Sequence, residues 1–161
     1  MDDRETRVWD ILEKTGLGML TTQFAGGLRA RPLEARPDRN AGLVLFVTDV
    51  RGLKDDEIAA CPEVCFTVID DDDKAYLSIS GRAEVIRDPV LAAKIWKRTD
   101  DVWWPNGADD RNVRVLRIMP SLAELWDGPA SATVAAYEFA KARATGQKPN
   151  LGENRKVKID L

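Results

Sequence analysis

The residues of this chain best suited to holding an anion are two arginines and a lysine. Arg29 and Arg31 stand two positions apart in the segment LRARPLEA, residues 28–35. If that segment is a strand, both point to one side. Guanidinium groups grip phosphate in a bidentate fork, although two such arginines can equally face solvent. Lys54 follows Thr48 by six positions. Between them an apolar run ends, a turn intervenes and a short helix begins. Free N–H groups at a helix start, joined by a lysine, make an anion site; the alternative is a lysine directed at solvent. A third segment, Trp103-Trp104-Pro105-Asn106-Gly107, sets two indoles side by side. It reads either as a cap on the core or as an interface able to stack on a flat ring.

The chain has no histidine. Ser-His-Asp and Cys-His catalysis are thereby excluded, together with the common zinc sites. Redox or acid–base chemistry would need another carrier, and a bound cofactor is the direct choice. The two cysteines, Cys61 and Cys65, are four positions apart. They are expected to be reduced, buried thiols of a cytoplasmic protein. The acidic run from Asp70 to Asp73 reads as a solvated hairpin tip. It lacks the glycine and downstream glutamate of a calcium loop, so no metal site is expected.

These residues need elements to position them. Val8, Ile11 and Leu12 recur at helical spacing, which predicts an amphipathic helix over 3–15. Strands are predicted over 18–23 and 28–35, joined by a glycine-containing hairpin turn. Pro32 cannot donate to a ladder, which places the second strand at an edge, at a bulge or beside a ligand. Further strands are predicted over 43–48, 63–70 and 75–87, the last with a bend or bulge at Gly81. A short helix over 54–60 precedes Pro62. Asp88 and Pro89 signal the start of another helix, running to about Arg98. Residues 113–119 and 121–126 read as two strands split by Pro120. Residues 133–144 read as helix, and 146–161 as a loop or extended tail. About six short strands with tight turns predict a mainly β protein, an antiparallel barrel with peripheral helices.

A chain of 161 residues is expected to form one domain over 1–161, with a helical and extended C-terminal segment from about 131. The net charge of −3 supplies no basic field for nucleic acid. No apolar run approaches the roughly 20 residues of a membrane span. The acidic, amphipathic start lacks the pattern of a signal peptide.

Taken in order, the motifs resemble a family. They are Arg31-Pro32-Leu33, Phe46-Val47-Thr48 with Lys54, the segment YLSISGRAE at 76–84, Trp104-Pro105-Asn106-Gly107, and the closing AELW at 123–126. The chain is similar to the general stress protein subgroup of the pyridoxamine 5'-phosphate oxidase-like, FMN-binding split barrels. That resemblance implies a six-stranded antiparallel split β-barrel, working as a homodimer with FMN at the dimer interface. It implies that Arg31 and Lys54 hold the FMN phosphate, and that Pro32, Leu33, Val47 and Thr48 line the ring and ribityl chain. Trp104 would approach the flavin from the second subunit. Leu33 and Trp104 stand where the subgroup commonly has Met and Phe. Val50-Arg51-Gly52-Leu53 replaces a run that often has Ser or Thr ahead of the lysine, which leaves Arg51 as a substitute phosphate contact. The implied function is a flavin-dependent oxidoreductase or flavin reductase of unknown substrate, related to stress. The alternatives are a flavin store or sensor without turnover, or a split barrel using F420 or FAD. Pyridoxamine 5'-phosphate oxidation itself is not expected, because that oxidase uses a histidine in its substrate pocket.

Overall fold

The alternation of apolar and polar residues is carried into one antiparallel sheet. The computed structural model describes residues 3–127, 132–150 and 154–158. Helix α1 (Asp3–Thr15) leads into the strands β1 (Leu17–Phe24), β2 (Gly27–Glu34), β3 (Arg36–Asp38) and β4 (Leu43–Asp49). Helix α2 (Lys54–Ala60) follows, then β5 (Glu63–Asp70), β6 (Ala75–Ile86), helix α3 (Pro89–Ile95) and a 3₁₀ turn (Arg98–Val102). Strand β7 (Val113–Asp127), helix α4 (Ala132–Thr145) and β8 (Asn154–Lys158) complete the order.

The sheet runs β2-β1-β5-β6-β7-β4-β3, with β8 added to β7. Strands β2 and β3 are thus its two ends, yet only Ala35 separates them in sequence. A single residue cannot span an open sheet, so the sheet must curl until its ends meet. Strand β2 then lies beside β4, and no ladder pairs these two strands among the described residues. The result is a split β-barrel whose seam runs between β2 and β4. Pro32 lies on β2, at that edge, where its missing N–H costs no ladder bond.

Inward residues of β1, β5, β6 and β7 form the main core, among them Leu20, Phe66, Val68, Leu77, Ile79 and Leu125. Val8, Ile11 and Leu12 of α1 close one side of it. The phenyl rings of Phe46 and Phe66 meet edge to face, 5.0 Å between centroids. A second apolar cluster gathers Leu45, Val47, Ala92, Trp104, Val113 and Val115. Strand β4 therefore feeds one core with Phe46 and the other with Val47.

Six strands match the expected set, and β3 and β8 are additional. The two strands expected on either side of Pro120 are one strand, β7. Ser80 pairs with Leu122 and Gly81 with Pro120, so Ser121 bulges out and takes the proline in stride. Helix α3 ends at Ile95, three residues before the expected Arg98. The Asp100 carboxylate accepts the Lys97 N–H at 2.8 Å and starts a new turn instead. Asp70 is not solvated with the rest of the acidic tip: it is buried and accepts from Lys14 Nζ at 3.0 and 2.9 Å. The thiols of Cys61 and Cys65 are free, and both are half-buried rather than buried.

Candidate functional site

Strand alternation sends Arg29, Arg31 and Leu33 to one face of β2. Arg29 is registered opposite Thr22 and Arg31 opposite Leu20, and both of those partners are buried. The arginines therefore point inward at the seam. Across the seam, β4 ends at Thr48 and Asp49, and the chain turns through Gly52 and Leu53 into α2. Arg29, Arg31, Pro32, Leu33, Thr48, Gly52, Leu53 and Lys54 together line a pocket of about 440 Å³. That is within the range of small-molecule and cofactor sites.

Lys54 is buried, its side chain only 7% exposed. Its ammonium donates to the Asp49 carbonyl and lies 3.3 Å from the Asp55 carboxylate. A Cβ at position 52 would come within 3.1 Å of Lys54 Nζ, so glycine there makes room for the ammonium.

The arginines are held by a residue that the sequence reading did not single out. Glu57 of α2 is buried, and its carboxylate accepts from Thr22 Oγ1 at 2.6 Å and Arg31 Nη2 at 2.6 Å. Arg29 Nη1 donates to its other oxygen. The Thr22 hydroxyl, then the Arg31 and Arg29 guanidiniums, hold the Glu57 carboxyl below its ordinary range. Arg29 also lies over the Phe24 ring, 4.6 Å from its centroid. Arg31 Nη1 is buried and has no hydrogen-bond partner among the described residues. The signal for Glu57 was its spacing: it sits three positions after Lys54 and beside Ile58, on the buried face of α2.

Five of the seven residues named from the resemblance thus meet in one pocket: Arg31, Pro32, Leu33, Thr48 and Lys54. Val47 and Trp104 do not line it and share the second apolar cluster instead. The Trp104 indole N–H donates to Asp49 Oδ2 at 3.0 Å, and its ring lies 5.9 Å from that of Trp96. Trp103, its neighbour, is 74% exposed. Arg51 grips Asp49 with Nε at 2.7 Å and Nη2 at 2.5 Å, so it is committed to that carboxylate. Arg51, its backbone N–H and the Trp104 indole hold Asp49 well below the usual carboxylate range.

An open antiparallel sheet whose ends meet at a cationic pocket defines the split-barrel class. The family model described as pyridoxamine 5'-phosphate oxidase like matches residues 3–150, and the chain belongs to that family. Among solved structures, a protein described as general stress protein 26 from Jannaschia sp. CCS1 is 29% identical. The match covers 99% of this chain and 100% of that one, with a TM-score of 0.79. The general stress FMN/FAD binding protein from Xanthomonas citri is 22% identical over 79% of this chain and 90% of that one, TM-score 0.70. A structure described as an F420 reductase is 23% identical over 71% of this chain and 93% of that one, TM-score 0.57. No curated protein matches the chain.

Proposed function

We propose that the protein binds FMN, with the phosphate at Arg31, Lys54 and Arg29 and the ring system against Pro32, Leu33 and Thr48. The observation that carries this is the unpartnered, buried Nη1 of Arg31 beside the pocket that Lys54 also lines. A buried donor without an acceptor is costly, and a phosphate oxygen would satisfy it. The flanking apolar wall of Pro32 and Leu33 fits a flat ring better than it fits a free anion.

When bound, the flavin supplies hydride chemistry. The chain's own residues bind and orient: the cations neutralise the phosphate, and Pro32 and Leu33 offer the ring an apolar wall. No histidine is available, and the pocket lining has no carboxylate to serve as an acid or base. The proposal is therefore a flavin-dependent oxidoreductase or flavin reductase in which the ring does the chemistry, with no turnover of pyridoxamine 5'-phosphate. Val47 supports the site from behind, through the β4 strand it shares with Thr48. The loop that carries Trp104 approaches the flavin of a second copy. The buried Trp104 ring anchors this loop and leaves Trp103 free to reach across a homodimer. Two free thiols support a reducing, cytoplasmic setting.

The test is flavin fluorescence titration of apo-protein variants. Lys54→Ala and Arg31→Ala should each weaken FMN binding by about 10- to 150-fold, the worth of a charge-assisted contact of roughly 1.5–3 kcal/mol. Lys94→Ala removes an exposed lysine paired with Asp38, outside the pocket, and should leave affinity unchanged. Equal affinities for Lys54→Ala and Lys94→Ala, with both folded, would refute the phosphate site.

A further inference from the structure

Three donors converge on the Glu57 carboxylate from two strands: Thr22 of β1 and Arg29 and Arg31 of β2. The carboxylate is nearly sealed from water, its side chain 7% exposed, and the Arg31 side chain is 20% exposed. Two guanidiniums against one carboxylate leave this group with an excess of positive charge. A guanidinium is planar and rigid, with its five N–H donors in a fixed fork. Fixing Nη2 on Glu57 therefore fixes where Nη1 points, and Nη1 is the atom left without a partner. Arg29 is likewise held twice, by Glu57 and by the Phe24 ring below it. Lys54 and Glu57 are three apart on α2, hence on one helix face. The helix that contributes a pocket cation therefore also carries the group that aims the other two.

We propose that Glu57 is the positioning residue of the flavin phosphate site: it holds Arg29 and Arg31 by one edge and so presents the free edge of Arg31 to a phosphomonoester. This rests on the FMN assignment above. Were Glu57 instead a competing anion, its removal would strengthen phosphate binding. The geometry argues otherwise, because Glu57 occupies Nη2 and leaves Nη1 vacant.

The experiment compares FMN with riboflavin, which lacks the phosphate, on wild-type protein and on Glu57→Gln. Glutamine keeps the shape but removes the charge and replaces one acceptor with a donor. FMN affinity should fall by about tenfold or more, while riboflavin affinity should stay unchanged. In the Glu57→Gln background the further loss from Arg31→Ala should shrink, since the arginine is no longer aimed. An FMN affinity that is unchanged or higher would overturn the proposal. Parallel loss of FMN and riboflavin would also overturn it, since Glu57 would then be merely structural. Thr22→Val is the second variant should Glu57→Gln fail to fold. It removes one donor from the carboxylate and leaves all three charges. About a threefold loss for FMN alone is expected, and none would refute the role. If wild-type protein binds FMN no better than riboflavin, the phosphate assignment itself fails. If wild-type protein prefers FMN and Glu57→Gln matches it, only the role of Glu57 fails.

Discussion

Single carboxylates hold much of this molecule together, and each ties a distant element to the sheet. Glu57 joins α2 to β1 and β2, Asp49 joins the end of β4 to the Trp104 loop, and Asp70 joins β5 to α1 through Lys14. The Lys14 ammonium holds the Asp70 carboxyl below its ordinary value, and Glu57 and Asp49 are lowered as well. Groups with depressed folded values stabilise the fold above the ordinary carboxylate range of about 4. They lose that contribution as the pH falls through their folded values. Melting temperature should therefore be flat from neutral pH down to about 5 and fall steeply below about 4. Asp70→Asn should lower it at neutral pH and make the acid limb shallower. An acid limb as steep as the wild type's would show that the Lys14 pair contributes nothing. Arg31 and Lys54 were legible in the sequence because basic residues at strand spacing and at a helix start advertise an anion site. Glu57 was overlooked because it lies in the charged run Lys54-Asp55-Asp56-Glu57, where its spacing from Lys54 and its place beside Ile58 were the one signal that this acid faces inward. Trp104 advertised a stacking surface, yet its own fold buries it. Adjacent indoles cannot both face the same way, and Trp103 took the exposed place.

Most elements were readable because periodicity of two or 3.6 survives in them, as in α1, β5 and β6. Helices α1 and α2 and strand β5 match their expected limits. The misses have local physical causes. Strand β3 has three residues and contains Pro37, so it offers no alternation to read; it forms because β4 has a free edge there. Strand β7 was broken on paper at Pro120, whose missing N–H is accommodated at the bulge opposite Gly81. That bulge brings the chains unusually close: a Cβ on Gly81 would sit 2.3 Å from the Met119 carbonyl oxygen. Gly81→Val should therefore destabilise the protein by about 2–3 kcal/mol, through backbone displacement rather than lost contacts. Urea denaturation monitored by tryptophan fluorescence measures this directly. A midpoint within error of the wild type would mean that the bulge has room to open.

At the scale of the whole molecule, the curl of the sheet was legible only indirectly. The sequence shows short strands needing closure, but not that β2 and β4 would face one another unpaired. That arrangement depends on strand order, which no local pattern encodes. The outer face of the sheet also carries a row of apolar side chains, Ile69, Tyr76 and Trp126, aligned across β5, β6 and β7, with Met19 in the next row on β1. They are 59%, 48%, 37% and 40% exposed, in that order. The homodimer proposed above would bury this row. Light scattering at micromolar concentration should report a dimer, and Ile69→Lys should shift it toward monomer. A wild-type monomer would count against the dimer. No helix among the described residues is long and apolar enough to cross a membrane. The most direct test of the central claim is the absorbance spectrum of the purified protein, read with the identity of whatever it releases on denaturation. FMN held at the β2–β4 seam predicts a flavin spectrum and release of FMN in near-equimolar amount. Protein that takes up no flavin when supplied with FMN, or that releases only FAD or F420, would contradict it.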